Sequence, residues 1–373
     1  MFNIYCDNAA EKRLTKTAMR TIYDFLERSK DIGNPSAIHI FGKNIRRDIE
    51  TARTNIAKYI GANNSREIYF TSGSTEAINW IMQTTNRNII TTLIEHKAIR
   101  ANADYNSDKC VYSVPVDETG RIDMVYLKNL CETHDNMLLC IGYVNNEIGT
   151  IQDIKEITKV CHKNNVLVFV DATQALGNLP VNVANLDVDY LCGSFHKLGG
   201  LSGSGFLYCK QGVGLEPFMR GGSQEKNMRA GTENTLGILV GEAVMREAYE
   251  NLDSIKEIER KRNLIIDGLL KIPLSHLNGS STYRVCNNIN ISFDGVDGET
   301  LVMWLGMYGI YCSTGSACNS QSIVPSFVLR QIGLSNDMAR SAIRLTIDND
   351  ITGTDIDNLI QTITIIVDMI RNS

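Results

Sequence analysis

Four groupings of residues in this chain have the types and spacing to do chemistry. The first is Ser194-Phe195-His196-Lys197, which follows a short apolar run ending in Leu191-Cys192. A lysine at the mouth of a strand, with a hydroxyl and an imidazole just before it, suits a Schiff-base site. In a fairly dry pocket the amine's pKa falls and it can attack an aldehyde. If that aldehyde belongs to pyridoxal phosphate, the ring nitrogen also needs an anionic partner. Asp171 is placed to supply it, because it ends the apolar run Val166-Leu167-Val168-Phe169-Val170. A carboxylate at the end of a buried strand needs a cation or a hydrogen-bond donor; capping the turn into Ala172-Thr173 would serve the same residue equally well.

The second grouping, Ser72-Gly73-Ser74-Thr75, stands between a strand pattern and an apolar helix pattern starting at Glu76. Strand, Gly/Ser/Thr turn and helix together present backbone N–H groups and hydroxyls to an anion. A plain helix cap with Glu76 nearby is the competing reading. The third grouping is Ser313-Thr314-Gly315-Ser316-Ala317-Cys318-Asn319-Ser320, one cysteine among small polar residues. A thiol in such an exposed loop acts as a nucleophile once deprotonated, or is an incidental surface cysteine. The fourth is Arg344, a lone charge in the strand pattern Ser341-Ala342-Ile343-Arg344-Leu345-Thr346. It needs an anion, either a substrate carboxylate held by the planar fork or a structural salt bridge.

The elements that must position these residues alternate between strand and helix. Apolar residues at helical spacing predict helices over 15–28 and from about 42 to 60, and over 153–164. Strands are predicted at 67–71, 88–92, 109–114, 137–143 and 166–171, several of them nearly continuous apolar runs, as in parallel strands covered on both faces. A ligand site then falls at the carboxyl ends of the strands. The glycine-rich 199–205 leads into a strand at 206–209 rather than a helix, which removes the context a nucleotide-binding loop needs. It reads as a flexible turn beside Lys197. Residues 234–270 read as one long charged helix bridging two domains. Beyond them the pattern is α+β: Ile289, Ile291 and Phe293 alternate as in a half-exposed strand, and 356–370 reads as a last helix.

At 373 residues the chain exceeds one average domain. With 43% hydrophobic and 21% charged residues it is an ordinary globular composition. A net charge of −5 excludes an extensive nucleic-acid-binding surface, and no apolar run is long enough to span a bilayer. The N-terminal residues lack the basic and apolar regions of a signal peptide. Ten scattered cysteines without a CxxC pair indicate neither a zinc site nor a disulfide framework. The expectation is a cytoplasmic protein with reduced thiols and no bound metal.

Taken together, these stretches resemble the cysteine desulfurases of the NifS/IscS type, which are class V, fold-type I pyridoxal-phosphate enzymes. The resemblance is carried by Asp7-Asn8-Ala9-Ala10, Gly33-Asn34-Pro35-Ser36, Thr71 to Glu76, Glu95-His96-Lys97-Ala98, Val144-Asn145-Asn146-Glu147, Asp171-Ala172-Thr173-Gln174, Ser194 to Lys197, Arg229-Ala230-Gly231-Thr232-Glu233-Asn234 and Gly315-Ser316-Ala317-Cys318, in that order. It implies an α/β fold: a large cofactor domain with a mostly parallel central sheet over 15–250, and a smaller α+β domain from 1–14 and 251–373 carrying the cysteine loop. It further implies that Lys197 binds the cofactor aldehyde, Asp171 partners the ring nitrogen, His96 stacks on the ring and Gln174 bonds its phenolic oxygen. The phosphate would rest on Ser74, Thr75, Ser194 and His196, with Thr232 reaching in from the second subunit of a homodimer. Asn145, Arg344 and Asn34 would bind substrate, L-cysteine. Lys197, His96 and Cys318 would carry catalysis, Cys318 taking the sulfur as a persulfide for an acceptor protein, an iron–sulfur scaffold or a thiolation enzyme.

The chain departs from the family's common pattern at Glu11-Lys12-Arg13 and at Leu198 to Gly203, and less markedly at Cys312 and Thr314. Two rival readings are another class V enzyme, such as a selenocysteine lyase or small-substrate aminotransferase, and a non-catalytic scaffold of a sulfur relay.

Overall fold

The computed structural model describes residues 2–105, 109–314 and 325–372. Its centre is a seven-stranded sheet in the order Ile68–Thr71, Gly205–Cys209, Tyr190–Ser194, Leu167–Asp171, Met137–Gly142, Asn88–Thr92, Val111–Val114. Only Gly205–Cys209 runs against the others, being antiparallel to both its neighbours. Strand side chains alternate between faces with period two, and the buried residues divide accordingly. Leu139, Ile141, Val168, Val170, Leu191 and Phe206 join the main core cluster on one side. Leu138, Cys140, Phe169, Cys192 and Leu207 join a second cluster with Trp80 and Ile81 on the other. Helices Lys16–Glu27, Ile40–Tyr59 and Thr235–Glu250 pack on one another beside the first cluster. Helices Ser74–Thr84 and Lys97–Tyr105 cover the second face. Burial on both faces explains why these strands read as continuous apolar runs.

A three-stranded antiparallel sheet, Ser275–Leu277, Asn288–Phe293 and Ala342–Thr346, lies in the C-terminal third. It is accompanied by helices Ser254–Leu269, Gly298–Met307 and Gly353–Arg371. The N-terminal strand Ile4–Tyr5 pairs with Ile310–Tyr311, and Asp7 bridges to Thr346. That pairing brings Ala9 and Ala10 to the edge of the central sheet.

Two expectations are corrected. Residues 234–270 form two helices, Thr235–Glu250 and Ser254–Leu269, not one. Asn251 ends the first: its backbone N–H and its carboxamide both bond Glu247 O, and the Ser254 hydroxyl bonds Asn251 O. Strand Asn288–Phe293 is wholly buried rather than half exposed. Its polar residues face inward on polar partners: Asn278 donates to Asn290 and Ser292 at 2.8 Å each, and Arg284 donates to Asn288. Buried polar groups so matched cost little, and alternation then says nothing about solvent.

Candidate active site

The carboxyl ends of the same-direction strands meet at one edge of the sheet, where open α/β sheets bind ligands. After Thr71 comes the start of helix Ser74–Thr84; after Thr92, Glu95 and His96. Asn145 follows Gly142, Asp171 ends its own strand, and Ser194 leads into a short 3-10 turn carrying His196 and Lys197. These residues line one cavity of about 380 Å³, within the range of small-molecule sites. Two glycines shape it. Gly73 has φ +149°, outside the range of L side chains, and a Cβ on Gly205 would lie 2.7 Å from Gly73 Cα and 2.4 Å from Gly193 O. Glycine there lets the helix N-terminus sit against Ser194.

Lys197 Nζ donates to Ala9 O at 2.7 Å and also contacts Ala10 O. Gln174 Nε2 donates to the same Ala9 carbonyl at 3.1 Å. Asp171 receives three bonds on one oxygen, Oδ1: from Thr173 N–H at 3.0 Å, the Thr173 hydroxyl at 2.5 Å and the Cys192 thiol at 3.7 Å. All three fall on Oδ1, and the carboxylate lines the cavity. His96 Nδ1 accepts from Ala98 N–H at 3.1 Å, so the neutral ring carries its proton on Nε2. Burial, then the neighbouring Lys197 charge, lowers the His196 pKa and favours a neutral imidazole. Ser74 N–H donates to Ser194 Oγ at 2.7 Å, Ser194 Oγ donates to Ser74 Oγ at 3.0 Å, and Ser74 Oγ meets Thr173 Oγ1 at 2.5 Å. Glu76 in the first turn opposes this helix's positive end. Burial works against its charge, yet the Arg229 guanidinium and Ser72 hold its carboxyl below the usual range.

Arg344 is almost fully buried and donates to Asp7 Oδ1 at 2.8 Å, Asn146 O at 3.1 Å and Ser313 Oγ at 3.2 Å. Arg344 thus has the salt-bridge partner, Asp7, and also lines the cavity. Asn145 donates to Ile94 O and accepts from the N–H groups of Glu147 and Ile148, so its carboxamide is fixed by backbone. Cys318 lies outside the described residues; the described chain before it bonds the cavity residue Arg344, and the described chain after it bonds Glu147. Ser313 pairs with Arg344 through both backbone bonds, and Ser326 Oγ donates to the half-buried Glu147 at 2.5 Å.

Two residues expected at the site are not gathered into it. Asn34 is exposed, its carboxamide accepts Ser36 N–H at 2.8 Å, and it does not line the cavity. Within this chain the Asn34 carboxamide bonds its own turn and does not reach the cavity. Thr232 is likewise exposed and outside the lining. Conversely, Glu95 and Thr173 belong to the site although neither was assigned a role. Glu95 accepts the Thr92 hydroxyl at 2.6 Å and Gly142 N–H at 2.7 Å. Both stood inside recognised stretches, but only the fold shows what they touch. The two departing segments also meet, since Ser202 Oγ donates to Glu11 Oε1 at 3.0 Å and Glu11 approaches His196 to 4.0 Å.

Comparison with known proteins agrees with this geometry. The aminotransferase class-V family matches residues 4–359, and the chain belongs to that family. It is 38% identical over 379 residues to a cysteine desulfurase IscS of Methanosarcina thermophila, covering 99% of this chain and 93% of that protein. Among solved structures it resembles a NifS-like protein with TM-score 0.91 and 33% identity, covering 99% of this chain and 100% of the other. SspA in complex with cysteine gives TM-score 0.78 and 30% identity over 92% of this chain and 99% of that one. Family members are pyridoxal-phosphate enzymes. The cavity fits that group: an amine, a carboxylate and a helix N-terminus with two buried serine hydroxyls line one space of suitable volume.

Proposed function

We propose that this chain is a pyridoxal-phosphate-dependent cysteine desulfurase, converting L-cysteine to L-alanine and passing the sulfur to Cys318. One observation carries the reading: Lys197, Asp171 and Arg344 line one cavity, and Arg344 is bonded to the chain five residues before Cys318. The bound cofactor supplies an aldehyde for the substrate amine and a ring that stores the electron pair released at Cα.

The chain's residues then have separate tasks. Ser74, Thr75, Ser194 and His196 hold the phosphate, with Thr232 contributed by a second subunit of a homodimer. With the cofactor bound, Asp171 would hold the proton on the ring nitrogen, Gln174 would bond the phenolic oxygen and His96 would cover the ring. Arg344 and Asn145 orient the substrate carboxylate. Lys197 Nζ moves the substrate Cα proton, as a positioned amine base. The Cys318 thiolate attacks the substrate sulfur: the new S–S bond forms as Cβ–S breaks, the bonding pair stays on Cβ, Cβ takes up a proton, and Lys197 returns a proton to Cα to give alanine. The reaction balances without an external oxidant or reductant.

The N-terminal residues 1–14 pair with the C-terminal part through Ile4–Tyr5, which supports grouping 1–14 and 251–373 as the small domain and 15–250 as the large one. The sulfur acceptor is an iron–sulfur scaffold or a thiolation enzyme, and the place of action is the cytoplasm. Among the described residues no helix is long and apolar enough to cross a membrane.

The test is to load purified protein with pyridoxal phosphate, add L-cysteine and measure alanine. Wild type should produce it, and Cys318→Ala should lose it while still binding cofactor. Undiminished alanine from Cys318→Ala would favour the selenocysteine-lyase or aminotransferase reading. A protein that fails to bind the cofactor would favour the scaffold.

A further inference from the structure

We propose that Thr173 is a positioning residue that couples the anion-binding start of helix Ser74–Thr84 to Asp171, so that an anion held there tightens the grip of Asp171 on a protonated ring nitrogen. The inference rests on the cavity being a pyridoxal-phosphate site and goes beyond it by assigning a link between the two halves of that site.

The observation is an unbroken chain of hydrogen bonds whose donors all run one way. A carboxylate only accepts, so the Thr173 hydroxyl donates to Asp171 Oδ1 at 2.5 Å. Its proton is then spent, and at 2.5 Å Ser74 Oγ must be the donor to Thr173 Oγ1. Ser74 Oγ in turn accepts from Ser194 Oγ at 3.0 Å. Ser194 Oγ accepts from the Ser74 N–H at 2.7 Å, and that N–H belongs to the first residue of the helix. Ser74 and Ser194 are 6% and 4% exposed, which shields the serine end of the series from water, while Thr173 and Asp171 are half-buried at the cavity wall. Linked bonds of this kind polarise one another. The positive end of an eleven-residue helix is thus relayed through three hydroxyls to one oxygen of the carboxylate.

An anion placed at Ser74 and Ser194 accepts their hydroxyl protons and draws them off the chain. Thr173 then loses its donor, its own O–H is less polarised, and it withdraws less charge from Asp171. The carboxylate holds a cation more strongly as a result. By linkage the effect is mutual: a cation at Asp171 raises the affinity for the anion by the same factor. Thr173 N–H at 3.0 Å still orients Asp171 when the hydroxyl is removed, so the loss of the relay is separable from the loss of the site.

The experiment uses full-length protein freed of cofactor. Affinity for pyridoxal, which lacks the phosphate, is measured by calorimetry with and without saturating inorganic phosphate, for wild type, Thr173→Val and Thr173→Ser. Phosphate should raise pyridoxal affinity in wild type by about two- to fivefold more than in Thr173→Val, and Thr173→Ser should restore the wild-type factor. Through-space attraction between the two ligands is common to all three proteins and cancels in the comparison. Equal coupling in all three, or none in wild type, overturns the proposal. If Thr173→Val does not fold, Thr173→Ala is read in its place. Pyridoxal phosphate itself is the control. A protein that binds it but shows no relay sinks this inference alone, whereas one that does not bind it sinks the site reading and the inference together.

Discussion

Replacing Glu95 by glutamine should change how the stability of the protein depends on pH. Glu95 is 7% exposed and sits among strand ends, with one oxygen on the Thr92 hydroxyl and the other on Gly142 N–H. Burial pushes its carboxyl up to about 7; the two hydrogen bonds pull the other way, and the charge of Asp171 raises it further. The ordinary value is 4.5. Between those two pH values the folded protein holds a proton that the unfolded chain has released, so the contribution to stability falls as pH rises. It is complete below 4.5 and gone above 7. A shift of two to three units, at about 1.4 kcal/mol each, makes about 3 kcal/mol. Glutamine has nearly the same shape, can offer its carbonyl to Gly142 N–H and its amide to Thr92, and does not titrate. Urea unfolding of cofactor-free wild type and Glu95→Gln across pH 4.5 to 8 isolates the difference, since other groups titrate in both proteins. Wild type should lose about 3 kcal/mol relative to the variant as pH rises. A difference that stays flat with pH would mean that Glu95 is ionised in the fold, and the reasoning about its burial would fail.

Other perturbations test other parts of the structure. Arg53 and Glu225, each under 5% exposed at the side chain, form a two-pronged pair at 2.7 and 2.8 Å. Arg53→Ala strands a buried carboxylate and should cost about 3–5 kcal/mol, read as a lowered thermal midpoint; an unchanged midpoint would show that the pair contributes nothing. Gly205→Ala places a Cβ against Gly193 O and Gly73. It should weaken cofactor binding at least tenfold while leaving far-UV circular dichroism intact. Arg344→Lys keeps the charge but loses the planar fork that bonds Asp7, Asn146 and Ser313. It should raise KM for cysteine roughly tenfold or more, and an unchanged KM would remove Arg344 from substrate binding.

What the sequence could reveal followed from how local each signal is. Asp171 was legible because five apolar residues before it announce a buried strand, and a strand end is a place in the fold. The turn at Ser72-Gly73 was legible because only a turn accepts that composition between two apolar stretches. The break at Asn251 was not, since Asn251 and Asp253 sit within a charged pattern that reads as one solvated helix face. Strand Asn288–Phe293 misled because its asparagines are matched by Asn278 and Arg284, several residues away in the chain. Glu95 was silent for the same reason: its bond to Gly142 spans 47 residues. Asn34 belonged to a recognised stretch, yet within this chain its carboxamide bonds its own turn and lies outside the cavity lining. Motif membership located the segment but did not assign the side chain.

The central claim is that Lys197, and no other amine, receives the cofactor aldehyde. Reducing the loaded protein with borohydride and mapping the modified peptide by mass spectrometry tests it directly, because reduction makes the linkage permanent. The expected result is a single adduct on Lys197, lost in Lys197→Ala. An adduct on Lys97, the other lysine beside a site histidine, or none at all, would contradict it.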